Sequence, residues 1–240
     1  MTRLDDPALV AAEYADETRL RRRASAYTGE GTAVDARDPL VAAVAAANPR
    51  RVLEVGCGWG ELAEWISAQT GAEVVAVDVS PRMVELAGAR GVDVRLADVQ
   101  DLPFADGEFD CVVAAWMLYH VPDLDLGLSE IVRVLRPGGR LVAVTNSRFH
   151  LLELRELVGS GPSLLSFSRE NGEELLHPHF AAVTREDIDG QLLFAGRGEV
   201  EEYVRASISM SPFVGNLPAV VADPFVARRA NSIFVAEKAA

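Results

Sequence analysis

Three glycines at alternate positions, Gly56, Gly58 and Gly60, follow an apolar run of strand length at 52–55. Glycine tolerates the backbone angles of a tight turn and lets the main chain pass close to a ligand. Such a loop recurs in dinucleotide-binding folds, where an acid after the second strand accepts hydrogen bonds from ribose hydroxyls. Asp78 ends the next apolar run, 73–78, so the spacing from Gly56 to Asp78 points to an adenosine-containing cofactor.

The charges around the loop decide which kind. A dinucleotide loop carries its third glycine at the sixth position, which here is Glu61. Glu54 and Glu61 would both meet a pyrophosphate at the helix amino terminus, a pairing of like charges. A cationic ligand is the electrostatic complement. S-adenosylmethionine carries a sulfonium and an ammonium and no phosphate, and a further acid, Asp98, follows the third strand.

A sulfonium is already an activated methyl donor, so the protein mainly has to hold an acceptor in line with it and exclude water. A hydroxyl acceptor would also gain from a general base. His120, just after the fourth strand, stands at the carboxyl edge where open α/β sheets bind ligands, with Asp123 near enough in sequence to orient it. A packing role suits His120 as well. His150 has a place to face the same pocket, whereas His177 and His179 flank Pro178 at a helix end and are given no role. Cys57 and Cys111 sit in apolar segments, read as buried thiols in a reducing compartment, and no metal-ligand spacing occurs.

The elements that position these groups follow from periodicity. Apolar runs of strand length at 52–55, 73–78, 92–97, 109–116 and 140–145 alternate with helical patterns at 62–70, 81–91 and 124–135. This predicts an α/β fold: a doubly wound, Rossmann-like sheet, mostly parallel, with helices on both faces. Two helices precede it, 7–27 and 38–48, the second with Asp38 as its cap. Beyond residue 146 the pattern weakens: amphipathic stretches at 151–158 and 171–180, a strand near 183–193, a loop with three prolines at 211–224, and a last, antiparallel strand at 232–236. Phe149, Phe167, Phe194, Phe213 and Phe225 fall here and suit either an apolar lid or an ordinary core.

Composition narrows the partners. The 240 residues are 49% hydrophobic and 25% charged, with 36 acidic against 23 basic residues and a net charge of −13, which repels phosphate backbones and anionic lipid. Arg19, Arg21, Arg22 and Arg23 read as a solvated helix face. No apolar run is long enough to span a membrane, and the acidic amino terminus is unlike a signal peptide. The expectation is a cytoplasmic protein acting on a small molecule, with neither nucleic acid nor membrane as partner.

The segment VLEVGCGWG resembles the first motif of class I S-adenosylmethionine-dependent methyltransferases. VVAVDVS, ADVQDLPF, FDCVVAAWMLYHVPD and LRPGG follow in that family's order, so the resemblance covers 50–146. YADETRLRRRASAY and FSRENGEELLHPHF look like parts of bacterial small-molecule methyltransferases. The resemblance implies that Gly56, Gly58 and Gly60 line the methionine and ribose, with Glu54 supporting the loop or reaching the ammonium. Asp78, with Val79 beside it, would hold the ribose. Asp98 would accept from the adenine amino group next to the Val99 backbone, with Ala115 and Trp116 beside the methionine portion. Tyr14 and Arg23 would close the top, or serve as plain helix-face residues.

The implied organisation is one methyltransferase domain over 1–240: a helical cap at 1–49, a cofactor core at 50–146, an acceptor-binding lid with late strands at 147–230 and a last strand at 231–240. The implied activity is methylation of a small organic acceptor at oxygen, nitrogen or carbon, leaving S-adenosylhomocysteine. Two alternatives stand beside it. One is an S-adenosylmethionine-binding sensor or an enzyme for a non-methylating reaction. The other is a nicotinamide-dependent oxidoreductase, although the single lysine, Lys238, leaves that reading without its usual Tyr-Lys pair.

Overall fold

Strict alternation along the central strands decides which helices cover which face. The computed structural model describes residues 3–27 and 36–240, so 28–35, inside the expected cap, lie outside the described residues. The strands are β1 Arg51–Val55, β2 Glu73–Asp78, β3 Asp93–Leu96, β4 Phe109–Ala115, β5 Leu135–Asn146, β6 Ala182–Phe194 and β7 Phe225–Glu237. The helices are α1 Pro7–Glu13, α2 Thr18–Ser25, α3 Arg37–Ala46, α4 Glu61–Thr70, α5 Pro81–Ala89, α6 Leu124–Val134, α7 Leu152–Val158, α8 Gly172–Leu176 and α9 Gly196–Ala206, with 3-10 turns at Leu118–His120 and Ser211–Asn216.

The strands form one sheet in the order β3-β2-β1-β4-β5-β7-β6. All pairs from β3 through β5 are parallel, and β7 runs antiparallel to both its neighbours. The predicted doubly wound sheet with an antiparallel last strand is the one found. Leu53, Val55, Val75, Val77, Val112 and Ala114 point to the face covered by α6 and α8. Their neighbours Val52, Val74, Cys111 and Val113 point to the opposite face, against α3 and α4. Both cysteines are buried and unpaired, as expected.

Four expectations need correction. The helix expected at 7–27 is broken into α1 and α2. In a continuous helix the Tyr14 carbonyl would take the Thr18 N–H. It instead accepts from Ser80 Oγ at 2.6 Å, while the Thr18 N–H donates to Asp16 Oδ1 at 2.8 Å. Asp38 is not a cap: α3 starts one residue earlier, with Ala36 in the cap position. The 124–135 helix stops at Val134, because Leu135 already pairs with Phe109 as the start of β5. The last strand begins at Phe225 rather than 231 or 232 and pairs along its length with β6.

The late region also holds a helix that periodicity did not single out, α9. Its Val200, Tyr203 and Val204 join Leu154, Val158, Phe194 and Met210 in a separate buried cluster. Phe167 and Phe194 are core residues, Phe213 and Phe225 pack on that cluster, and Phe149 is exposed. The core reading holds for Phe167 and Phe194 and fails for Phe149. No helix among the described residues is long and apolar enough to cross a membrane.

Candidate functional site

The loops at the carboxyl ends of β1, β2, β3 and β4 open into one cavity of about 1060 Å³, closed on the other side by α1, α2 and the segment after β5. β1 delivers the chain into the glycine loop, where Gly56, Gly58 and Gly60 all adopt positive φ (68°, 55° and 81°). The Gly56 and Cys57 amides donate to the Val77 carbonyl at 2.8 and 3.1 Å, which ties this loop to the end of β2. At Gly56 a Cβ would stand 2.7 Å from the Met117 Cβ. Gly60 departs from its expected role. It does not line the cavity but packs behind it, where a Cβ would stand 2.9 Å from Ala87 of α5. Close helix packing, the third glycine's task in dinucleotide loops, is thus performed one residue early.

Asp78 is the hinge of the arrangement. Its Oδ2 accepts the Gly58 N–H and its Oδ1 the Ser80 N–H, each at 2.9 Å. One carboxylate therefore orders the glycine loop and the start of α5, while lining the cavity with the Val79 backbone beside it. Burial raises its pKa against the pull of those amides. Glu54 lies deeper, 2% exposed, with the Ala63 amide donating to it and its Oε2 without a hydrogen-bond partner among the described residues. Burial, with the Asp78 charge nearby, pushes its pKa up to about 8. An unpartnered buried acid beside a second acid is a place for a cation.

Asp98, Val99, Ala115 and Trp116 line the same cavity. Asp98 stands exposed at its mouth, holding the Gln100 side chain at 3.0 and 3.1 Å. Trp116 has φ 54°, a left-handed conformation that non-glycine residues adopt at some cost, and is held there by its N–H bond to the Val144 carbonyl at 2.9 Å. Nothing in the sequence signalled that strained turn.

His120 reaches the cavity, but not through the partner expected. Asp123 accepts from the Leu126 N–H at 3.1 Å and caps α6, so it serves the helix rather than the imidazole. The ring is oriented instead by the Leu4 carbonyl, 2.7 Å from Nδ1, and the Tyr14 hydroxyl, 2.9 Å from Nε2. A carbonyl can only accept, so Nδ1 carries the proton and Nε2 accepts from Tyr14. Burial holds the His120 pKa down to about 4 and pushes Tyr14 up to about 12, leaving both neutral at pH 7.

Arg23 also faces the cavity, yet its guanidinium is engaged: it pairs with Glu13 and donates to the Ala206 carbonyl. Arg19 meets the same Glu13 at 2.8 Å, and Arg22 pairs with Glu202. The arginine run therefore docks α2 onto α1 and α9 rather than forming only a solvated face. Glu13, 3% exposed, is its buried anchor, which periodicity alone did not reveal.

The far end of the cavity is built by the late elements. His150 accepts the Ala230 N–H on Nδ1 at 3.1 Å, so its Nε2–H donates to the Tyr27 hydroxyl at 2.8 Å. Burial holds its pKa down to about 3. Tyr203 lies 3.3 Å from the same hydroxyl. His179 is outside the cavity, beside Asp125 at 2.9 Å.

Comparison with known proteins agrees with this geometry. Residues 53–143 match the methyltransferase domain family. Among curated proteins, the methyltransferase GfsG of Streptomyces halstedii is 44% identical over 99 residues, covering 38% of this chain and 36% of that protein. The chain spans less than half the length of the curated relatives it matches. A putative methyltransferase from Bacillus halodurans has the same fold at TM-score 0.64 and 20% identity, over 85% of this chain and 99% of that one. So does the [4+2]-cyclase SpnF, at TM-score 0.63 and 21% identity, over 96% and 95%. The glycine loop, the two acids and the strands that carry them thus fall in and around the stretch, residues 53–143, that matches the methyltransferase domain family.

Proposed function

We propose that the protein transfers the methyl group of S-adenosylmethionine to a small organic acceptor. The observation that carries this reading is the pair of buried acids, Glu54 and Asp78, flanking a glycine loop on the cavity wall. In this reading the second lone pairs of Asp78 take the ribose hydroxyls, Glu54 answers the cofactor's positive charge, and Asp98 and Val99 meet the adenine. Gly56, Gly58, Ala115 and Trp116 line the methionine portion. The chain works as one domain, with 50–146 holding the cofactor and the late segment shaping the acceptor pocket. Two buried free thiols suit a cytoplasmic setting.

The bound cofactor supplies an electrophilic methyl; the chain supplies alignment, exclusion of water and a route for the acceptor's proton. For a hydroxyl acceptor that route is Tyr14: its oxygen takes the proton as its own passes to His120 Nε2. Because the two residues act as one relay, Tyr14→Phe and His120→Ala are each expected to slow transfer to a hydroxyl by about a hundredfold. The double variant should be no slower than the slower single. Additive losses, or unchanged rates, would remove the relay.

Glu54 yields a prediction about pH. Its pKa of about 8 leaves it mostly protonated in the empty protein at pH 7. A bound cation favours the carboxylate, so cofactor binding should release about one proton, and affinity should rise with pH from roughly 6 to roughly 8. Calorimetric titration with S-adenosylmethionine in two buffers of different ionisation heat reads this release directly. Heats that do not depend on the buffer would contradict it, and Glu54→Gln should abolish it.

A second reading keeps the cofactor and changes the reaction. The likeness to a protein named as a [4+2]-cyclase shows that this fold is not confined to methyl transfer. Incubation with S-adenosylmethionine and candidate acceptors separates the two. S-adenosylhomocysteine formed in step with a methylated product supports methyl transfer, and conversion of the acceptor without consumption of the cofactor supports the second reading.

A further inference from the structure

The two ends of the cavity carry opposite charge. Glu54 and Asp78 lie at the β1–β2 end, whereas Arg155 of α7 lines the end built over β5, β7 and β6. Arg155 is 8% exposed. Its Nε donates to the His150 carbonyl at 3.2 Å and its Nη2 to Ser209 Oγ at 3.0 Å, both neutral acceptors. Among the described residues no carboxylate lies within ion-pair distance of it. A buried cation without a counter-charge is costly unless something supplies one. Among the described residues the surrounding groups do not: Tyr27 and Tyr203 are hydroxyls with raised pKa, and His150 is neutral. Nearby, Asn231 is 1% exposed. Its Nδ2 donates to Asn146 Oδ1 at 2.6 Å, and its Oδ1 finds no hydrogen-bond partner among the described residues.

This wall is a polar recess, and the apolar side chains of Leu151, Leu165, Ile208 and Met210 line the same cavity. From this we infer that the acceptor is a small carboxylic acid whose carboxylate seats against Arg155, its remaining body lying on the apolar lining between that residue and the cofactor. A guanidinium held by neutral partners keeps a fixed fork ready for a bidentate carboxylate. The Tyr203 hydroxyl stands close by as a further partner. The inference rests on the methyl-transfer reading, because it takes the acid-lined end of the cavity as the cofactor's.

The test uses the full chain saturated with S-adenosylhomocysteine and a panel of aliphatic and aromatic carboxylic acids, each paired with its primary amide, a near-isostere without the charge. Binding is read by calorimetry and by the shift in thermal unfolding. The expected result is that acids in the panel bind about tenfold or more tighter than their amides. Arg155→Gln should erase that preference and Arg155→Lys keep part of it, with affinity for S-adenosylhomocysteine unchanged in both. If no acid outbinds its amide while S-adenosylhomocysteine binds, or if the preference survives in Arg155→Gln, this inference is overturned alone. If S-adenosylhomocysteine itself fails to bind the parent protein, the cofactor reading falls and takes the inference with it. Should Arg155→Gln fail to fold, the comparison of acids with amides on the parent protein and on Arg155→Lys still decides.

Discussion

Replacing Asp78 by alanine is expected to weaken binding of S-adenosylhomocysteine by about a hundredfold, because a hydrogen bond to a charged group is worth about 1.5–3 kcal/mol and a ribose offers two hydroxyls. Asp78 does two jobs, which the experiment must separate. Besides facing the cavity, it accepts the Gly58 and Ser80 amides, each at 2.9 Å, and so holds the loop in shape. Alanine removes both functions. The Asp78→Asn variant retains one acceptor oxygen but puts an NH₂ group against an amide donor, so it should lose loop order as well as ribose contact. Thermal unfolding of the ligand-free variants reports the first loss, and calorimetry with S-adenosylhomocysteine the second. Undiminished affinity in Asp78→Ala would sink the ribose assignment.

The second large effect belongs to Gly56. Substitution by alanine places a β-carbon on a residue at φ 68°, and that atom would stand 2.7 Å from the Met117 Cβ and 2.8 Å from its Cγ. The left-handed conformation alone is unfavourable by about 1–2 kcal/mol for a non-glycine residue, and overpacking a tight contact adds about 1–3 kcal/mol. A loss of about 3 kcal/mol corresponds to a fall in Tm of roughly 6–12 °C for a domain of this size. Met117 starts the turn that carries His120, so displacing it also disturbs the part of the cavity wall that His120 forms. Gly56→Ala should therefore lose both stability and cofactor affinity, whereas Gly71→Ala, with a similar φ of 69° and open space around it, should lose only the backbone part. Equal falls in Tm for the two variants would mean that the Met117 contact is absent in solution.

The parts of the molecule that were legible in the sequence are those governed by local pattern. Apolar runs of strand length predicted strands at 52–55 and 73–78, found as β1 and β2, and a helix from Pro81, which Ser80 Oγ caps by accepting from the Met83 N–H. Glycine spacing placed the loop, because positive φ at three alternate positions leaves little choice of residue. What stayed hidden depends on partners far away in the chain. The break between α1 and α2 is made by Ser80, and the His120 ring is set by Tyr14 and Leu4, more than a hundred residues upstream. Asp123 was misread because proximity in sequence suggested a contact that the cap of α6 takes instead. Arg155 was missed because one of its partners, Ser209, lies 54 residues further along the chain, between α9 and the following 3-10 turn. Two glycines and a run of charges masked α9, although Val200, Tyr203 and Val204 carry helical spacing.

All the site assignments depend on the acid-lined glycine loop taking a cationic adenosyl cofactor and not a dinucleotide. Calorimetric titration of the ligand-free protein with S-adenosylhomocysteine, and separately with NADH, decides between the two. Saturable one-to-one binding of S-adenosylhomocysteine with no heat from NADH is the expected result. Binding of NADH alone would overturn the cofactor assignment, for it would mean that Glu54 and Glu61 tolerate a pyrophosphate at the start of α4.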